Sequence, residues 1–172
     1  RNKAIIIRPF MEKGSLRDLI HKEQPKNPYS TKYISKGTSL SKLRIRLYGK
    51  QILEVLIFLK DMGVPYPHLH CGNIMLSIDE KELFISEIEN TFLGFSPFYF
   101  LEKMKYVSPE VECFGNILYE MVFGEIKQTL NTTPVGEPIP LLPSCDFEIY
   151  SILESIFEPN INEDKITLES LL

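Results

Sequence analysis

Tyr66-Pro67-His68-Leu69-His70-Cys71-Gly72-Asn73 decides how this chain is read, together with Glu87-Ile88-Glu89 fourteen residues further on. The octapeptide lies between a helix-like segment stopped by Gly63 and a short apolar piece, Ile74-Met75-Leu76, so it reads as a structured loop. His68 and His70, two apart on an extended segment, have the spacing of metal ligands, but no third ligand is evident. The reading preferred here is that both imidazoles hydrogen-bond to the loop backbone.

Working toward the N-terminus, the apolar helical segment runs from about Ser39 or Ser41, either of which can cap it, to about Met62. Leu43, Leu47, Ile52, Leu53, Leu56 and Leu59 recur at three- and four-residue spacing and predict its buried face. Before it, residues 22–39 are polar and hold Pro25, Pro28 and Gly37, a connection. Gly14-Ser15 offers a turn and an N-cap for a short helix, Leu16 to His21, with Asp18 in its first turn. Ala4-Ile5-Ile6-Ile7, stopped by Arg8-Pro9, predicts a buried strand.

Toward the C-terminus, Ile74–Leu76 and Leu83–Ile85 predict a hairpin with Asp79-Glu80-Lys81-Glu82 at its tip. Residues 91–108 are irregular, and Phe92, Phe95, Phe98, Tyr99 and Phe100 are expected to contribute to the core. Glu110 to Phe123 predicts a helix with Val111, Phe114, Leu118, Met121 and Val122 on one face, closed by Gly124. Pro134 to Pro143 holds four prolines and predicts a loop. Asp146 to Phe157 predicts another helix, and Thr167 opens a last one that the chain end cuts short. The fold class is α+β, mostly helical, with a small β-hairpin between helices.

A chain of 172 residues with 44% hydrophobic content can bury one sizeable core, one domain at most. Cys71, Cys113 and Cys145 are odd in number and far apart, the pattern of reduced thiols in an intracellular protein. The sequon Asn131-Thr132-Thr133 has meaning only in a secreted protein. Lys50, Glu54 and Lys60 interrupt the most apolar stretch, which excludes a membrane span there. Residues 1–60 carry 14 Lys/Arg against 4 Asp/Glu, and the balance reverses afterwards to leave a net charge of −4. The basic first part fits either an anionic partner or a solvated helix face with a Lys-rich loop, and the latter is preferred. Aromatic residues do not interleave with the basic ones, so nucleic acid is not expected.

The order of elements resembles the large lobe of a eukaryotic protein kinase. Phe10-Met11-Glu12-Lys13-Gly14-Ser15-Leu16-Arg17-Asp18-Leu19-Ile20 resembles the hinge and following helix, and Cys113-Phe114-Gly115-Asn116-Ile117-Leu118-Tyr119-Glu120-Met121 the buried helix after the activation segment. With Tyr48-Gly49-Lys50-Gln51-Ile52-Leu53-Glu54-Val55-Leu56 and His68-Leu69-His70, the chain is similar to the PX-domain-containing kinase-like family. The resemblance implies one partial kinase-like domain over 1–172. Residues 1–13 are then the last small-lobe strand and hinge, and 14–172 the large lobe, truncated in its last helix; Arg1 in place of Met fits an internal fragment.

On the kinase pattern, the base Asp stands five residues before the Mg²⁺-binding Asn. Asn73 in that place puts His68 at the base, Tyr66 at the usual His, Pro67 at the usual Arg and His70 at the phosphate-contacting Lys. The metal loop, normally Asp-Phe-Gly, reads Glu87-Ile88-Glu89, so Glu89 replaces a glycine expected at φ > 0. Asn73 and Glu87 are the candidate Mg²⁺ ligands, and Asn73 has a second reading as a brace of the loop. Arg8, Phe10 and Met11 stand in the hinge region a nucleotide would meet, Arg8 near the residue that gates the adenine pocket. Ser108-Pro109-Glu110 is read as a helix start, not as the Ala-Pro-Glu motif, and Lys165 stands where an Arg would pair with that motif.

A neutral imidazole can serve as a general base, yet phosphoryl transfer depends mainly on positioning and charge. The function expected is therefore a pseudokinase-type scaffold or regulatory protein-binding module. The alternative is an atypical Ser/Thr kinase, active when a whole domain is present, with His68 as base. No Gly-x-Gly occurs in the chain, so no cofactor is expected here, and Mg-ATP belongs to a longer parent. The resemblance also implies membrane ion pumps or channels and endosomal proteins as partners, phosphoinositide contact only through a PX domain, and a cytoplasmic location peripheral to endosome or plasma membrane. The face that a small lobe would cover is expected to be an exposed apolar patch.

Overall fold

In the computed structural model, residues 5–64, 66–97, 107–127, 146–158 and 165–172 are described. Helix α1 (Leu16–His21) is followed by a 3-10 turn (Tyr29–Thr31) and the long α2 (Lys42–Asp61). Strands β1 (Ile74–Leu76) and β2 (Leu83–Ile85) come next, then short α3 (Asn90–Leu93), α4 (Pro109–Phe123), α5 (Phe147–Phe157) and α6 (Leu168–Leu171).

Helix starts follow from local chemistry. Ser15, Ser41, Ser108, Asp146 and Thr167 each place a side-chain oxygen on an early helix amide, satisfying donors that have no intrahelical acceptor. Ser15 and Asp18 do so reciprocally: Ser15 Oγ accepts from the Asp18 amide and Asp18 Oδ2 accepts from the Ser15 amide at 2.9 Å. Pro109 occupies the first turn of α4, where its missing N–H costs nothing, so Ser108-Pro109-Glu110 is the start of a helix.

The core is built around α4, whose residues Val111 to Phe123 are all buried. Helices α2 and α5 pack on it, α6 packs on α2, and β1 lies against α1. Gly115 permits the α4–α5 approach, since a Cβ there would stand 2.7 Å from Ile156 Cγ2. At the other end of α4, Gly124 (φ +72°) terminates the helix, and its carbonyl accepts from the Gly37 amide at 2.7 Å. That contact ties the polar connection 22–39 back onto the core. The antiparallel hairpin pairs Ile74 with Ile85 and Leu76 with Leu83. Its tip is held by Ser77 Oγ, which accepts from the Lys81 and Glu82 amides, with Glu80 in the left-handed region at φ +59°. α2 reads the hairpin directly: Tyr48 donates to the Glu80 carbonyl at 2.8 Å, and the Gln51 amide bonds both Lys81 O and Leu83 N.

Three expectations are corrected. Ile5, Ile6 and Ile7 form no strand; Ile5 is 87% and Ile7 92% exposed, because no strand among the described residues lies alongside to pair their backbone. The α2 face rotates at its start: Leu43 (81% exposed) and Leu47 face solvent, and Ile45, Tyr48 and Gly49 take the buried side. Phe92 (71% exposed) and Phe95 are not core; Phe98, Tyr99 and Phe100 lie outside the described residues, as do Ala4, Asn131, Cys145 and the proline-rich 134–143.

The uneven charge is largely internal bookkeeping between the two parts of the chain. Lys42 and Arg46 on α2 pair with Asp146 and Glu148 at the start of α5, Arg44 and Lys13 with Glu80 of the hairpin, Lys60 with Glu169 and Lys36 with Glu125. Such surface pairs are screened by solvent and salt, so they orient elements more than they stabilise them.

Candidate functional site

Asn73 organises the loop between α2 and β1. Its Oδ1 accepts from the His70 amide at 2.9 Å, and its Nδ2 donates to the His68 carbonyl and the Tyr66 hydroxyl, both at 3.0 Å. The Tyr66 hydroxyl donates onward to the Ser86 carbonyl at 2.8 Å. Ser86 returns two bonds to the Asn73 carbonyl, from its amide at 2.9 Å and its hydroxyl at 3.0 Å. The loop holding His68 and His70 and the loop holding Glu87 are therefore one hydrogen-bonded unit, buried at Tyr66, His68 and Asn73. Burial drives the Tyr66 phenol well above its usual range, reinforced by the Glu87 carboxylate, so it remains a neutral donor.

The two imidazoles differ. His70 Nδ1 accepts from the Gly72 amide at 3.0 Å, and its pKa is pushed down to about 4, first by burial, then by Arg17 and His68. At neutral pH it is uncharged. The ring bond to loop backbone expected of His68 is not found among the described residues: its carbonyl accepts from Asn73 Nδ2, and its buried ring lies tilted against Tyr66, centroids 6.0 Å apart. No cluster of three or more metal-ligating side chains occurs among the described residues.

Beneath the loop, Arg17 of α1 meets Glu120 of α4, Nε to Oε1 at 2.6 Å and Nη2 to Oε2 at 2.8 Å. Arg17 is 3% exposed and Glu120 is wholly buried. The Arg17 amide also donates to the Cys71 carbonyl at 3.0 Å, and Cys113 Sγ to the Pro67 carbonyl at 3.2 Å, so the loop is gripped from α1 and α4. Burial raises both thiols, which keeps them protonated and unreactive. Sequence reading missed the Arg17–Glu120 pair and the Tyr66–Ser86 link, because neither has a local signature.

The loop after β2 departs from expectation at its glycine-replacing position. Glu89 is helical at φ −63°, and the left-handed backbone falls on Glu87 at φ +68°. Glu87 Oε2 accepts from Asn90 Nδ2 at 3.1 Å, and Glu89 forms an ion pair with Arg8 of the hinge segment. Phe10 is exposed and Met11 partly buried on that segment, which joins the hairpin through Gly14 O and the Leu76 amide at 3.0 Å. As arranged, these groups fit a magnesium–polyphosphate poorly. The Asn73 amide is bonded at both ends, Glu87 holds Asn90, and the nearby cation is paired with the chain's own carboxylate.

A kinase-like large lobe with a substituted catalytic loop is the class that this fold and site define. The solved structure of the Cydia pomonella granulovirus kinase PK-1 shares the fold, with a TM-score of 0.58 at 15% identity over 94% of this chain and 65% of that one. No protein-family model matches the sequence. The PX domain-containing protein kinase-like protein of Rattus norvegicus is 40% identical over 163 residues, 90% of this chain and 27% of that protein. The probable inactive serine/threonine-protein kinase slob2 of Dictyostelium discoideum is 37% identical over 99% of this chain and 29% of its own length. The Slowpoke-binding protein of Drosophila melanogaster is 35% identical over 92% and 32%. Over this kinase-like segment the chain belongs with the PX-domain-containing kinase-like and slob proteins, and it spans about a quarter to a third of the length of these relatives.

Proposed function

We propose that the chain is a pseudokinase-type scaffold: a kinase large lobe kept for protein binding and regulation, without efficient phosphoryl transfer. One observation carries the reading. The place of the phosphate-contacting Lys is held by His70, an imidazole kept neutral by burial and turned to its own loop's Gly72 amide. Charge stabilisation at the transferring phosphate is most of what a kinase supplies, and a neutral ring does not supply it. Two relatives carry names consistent with such a role, one as a probable inactive kinase and one as a binding protein.

The partners of this reading are membrane proteins of the pump or channel class and endosomal proteins, with the chain peripheral to endosome or plasma membrane. The Slowpoke-binding relative supports a protein ligand in general terms, and no helix among the described residues is long and apolar enough to cross a membrane. Mg-ATP is assigned to a longer polypeptide that adds a Gly-rich loop and a strand Lys.

The test is transfer of radiolabelled phosphate from Mg-ATP to protein substrates by a longer polypeptide that adds the Gly-rich loop and strand Lys, with and without His68→Ala. Equal background counts support the scaffold. Transfer that His68→Ala abolishes overturns it in favour of an atypical kinase with His68 as base.

A further inference from the structure

Helix α2 has two apolar sides. One is the core face that carries Ile45, Tyr48, Ile52, Leu53, Leu56 and Leu59. Opposite it, a second row recurs at three- and four-residue steps: Leu43, Leu47, Lys50, Glu54, Phe58 and Met62. All six are exposed, Phe58 at 59% and Met62 at 65%, so nothing among the described residues covers them. Arg44, Tyr48 and Gln51 hold the hairpin along one flank of this row, and Lys42, Arg46 and Lys60 hold α5 and α6 along the other. An uncovered apolar row rimmed by polar contacts is the mark of a protein interface.

The order along the row names the occupant. Two leucines come first, then Lys50 and Glu54, whose Nζ and Oε1 lie 3.7 Å apart, then Phe58 and Met62. With a rise of 1.5 Å per residue, each apolar pair is centred roughly 11 Å from the midpoint of the charged pair, one toward each end of the helix. A two-fold axis through that midpoint sets a second copy of α2 antiparallel to the first. Lys50 then meets the other copy's Glu54, Glu54 meets its Lys50, and Leu43 and Leu47 lie against its Phe58 and Met62. Opposite charges at the two central places attract twice under that axis, whereas like charges would repel twice, so the row is complementary to itself. Both charged groups are well exposed, and re-pairing between copies strands neither. A lipid surface would favour cations throughout, and the exposed carboxylates of Glu54 and Asp61 oppose it. We propose that this row is the contact of a symmetric antiparallel dimer of the chain, closed by two reciprocal Lys50–Glu54 ion pairs between copies.

Sedimentation velocity and light scattering of the full chain, over a range of concentrations, read the association. The native chain is expected to dimerise reversibly. Lys50→Glu sets four carboxylates around the axis and Glu54→Lys four ammonium groups, and each is expected to weaken association at least about tenfold. Mixed in equal amounts, these two variants regain opposite charges across the axis and are expected to form a heterodimer of native-like affinity. The double exchange K50E/E54K is expected to dimerise by itself. It keeps an opposite-charge pair one helical turn apart, so it covers the case in which a single reversal folds poorly. Leu47→Gln and Phe58→Gln, at exposed positions outside the core, are expected to be monomeric where the native chain is dimeric. A native chain that stays monomeric at millimolar concentration overturns the dimer, even if the row captures some other protein. Single charge reversals that associate as tightly as the native chain overturn it too, by placing the contact elsewhere, as at exposed Ile5, Ile7 and Phe10. A mixture of the two reversals that regains nothing overturns the antiparallel pairing. Dimerisation through α2 is independent of phosphoryl transfer, so neither experiment decides the other.

Discussion

The Arg17 guanidinium lies bidentate on the Glu120 carboxylate across 103 residues of sequence, with contacts of 2.6 and 2.8 Å in a site closed to solvent. It joins the first helix to the central one directly under the His70-Cys71-Gly72 turn, whose Cys71 carbonyl is bonded to the amide of the same arginine. A buried pair of this kind costs desolvation on both sides and is retained for the geometry it imposes.

Breaking that pair from one side strands a charge in the core. Arg17→Ala or Glu120→Ala is expected to lower unfolding free energy by about 3–5 kcal/mol, whereas the joint replacement R17M/E120L is expected to cost far less than the two single losses added together. Urea denaturation of the three variants checks this, and additive losses would show that the two side chains act independently.

Asn73 uses its whole amide on the loop. Asn73→Ala is expected to cost about 2–3 kcal/mol, from lost hydrogen bonds and an orphaned His70 amide. Amide exchange at His70, which loses its acceptor, should accelerate, and at Ser86 with it, because Asn73 Nδ2 holds the Tyr66 hydroxyl that binds the Ser86 carbonyl. Protection unchanged at Ser86 would contradict the single hydrogen-bonded unit.

Protonation of His70 sets an acid limit. Its folded-state pKa, about 4, lies below the ordinary value of 6.5, so the unfolded chain takes up the proton first. Stability from this residue is therefore complete above pH 6.5 and is lost as pH falls from there toward 4. Asp18 adds to the loss at lower pH. Burial works to raise its carboxyl, but the Lys32 ammonium, Ser15 and the Tyr33 hydroxyl together hold it below 3.8. Denaturation midpoints across this range should flatten in His70→Gln if the imidazole is responsible.

Glu87 bears a left-handed backbone without being glycine, at φ +68°. That conformation costs an L-residue roughly 1–2 kcal/mol, part of which glycine's greater unfolded-state freedom offsets. Glu87→Gly is expected to stabilise the protein by about 0.5–1 kcal/mol even though it forfeits the bond to Asn90. Thermal denaturation reads the sign directly, and a clear loss would mean that the carboxylate's contacts outweigh the strain.

Gly115 faces the opposite limit. A methyl group there meets Ile156 at 2.7 Å and the Phe157 ring at 3.1 Å, so Gly115→Ala is expected to cost about 1–3 kcal/mol by forcing α5 off α4. Ile156→Leu, which removes the β-branch carbon Cγ2, should recover part of the loss in the same background, as judged by urea midpoints; no recovery would place the strain elsewhere.

Much of the fold was legible in the chain because its signals are local. Ser15, Ser41, Asp146 and Thr167 cap helices through atoms two or three residues away, and Gly63 and Gly124 end them through their own backbone freedom. The frame of the candidate site was legible for the same reason, since Asn73 and its spacing to Tyr66, His68 and Glu87 are local in sequence. The strand at Ile5–Ile7 was misread because a strand is defined by a neighbour, and a β-branched run specifies only the propensity to accept one.

What the amino-acid order determined alone is the succession of elements, their caps and the side chains standing in the loop. Tertiary structure alone decided which face of α2 is buried, which carboxylate meets which guanidinium, and which loop residue takes the left-handed backbone. Arg17 finds Glu120, and Arg8 finds Glu89, only once packing has closed separations of 103 and 81 residues. Periodicity and capping act within a few residues of chain, whereas burial and charge pairing depend on neighbours that only the folded chain brings together.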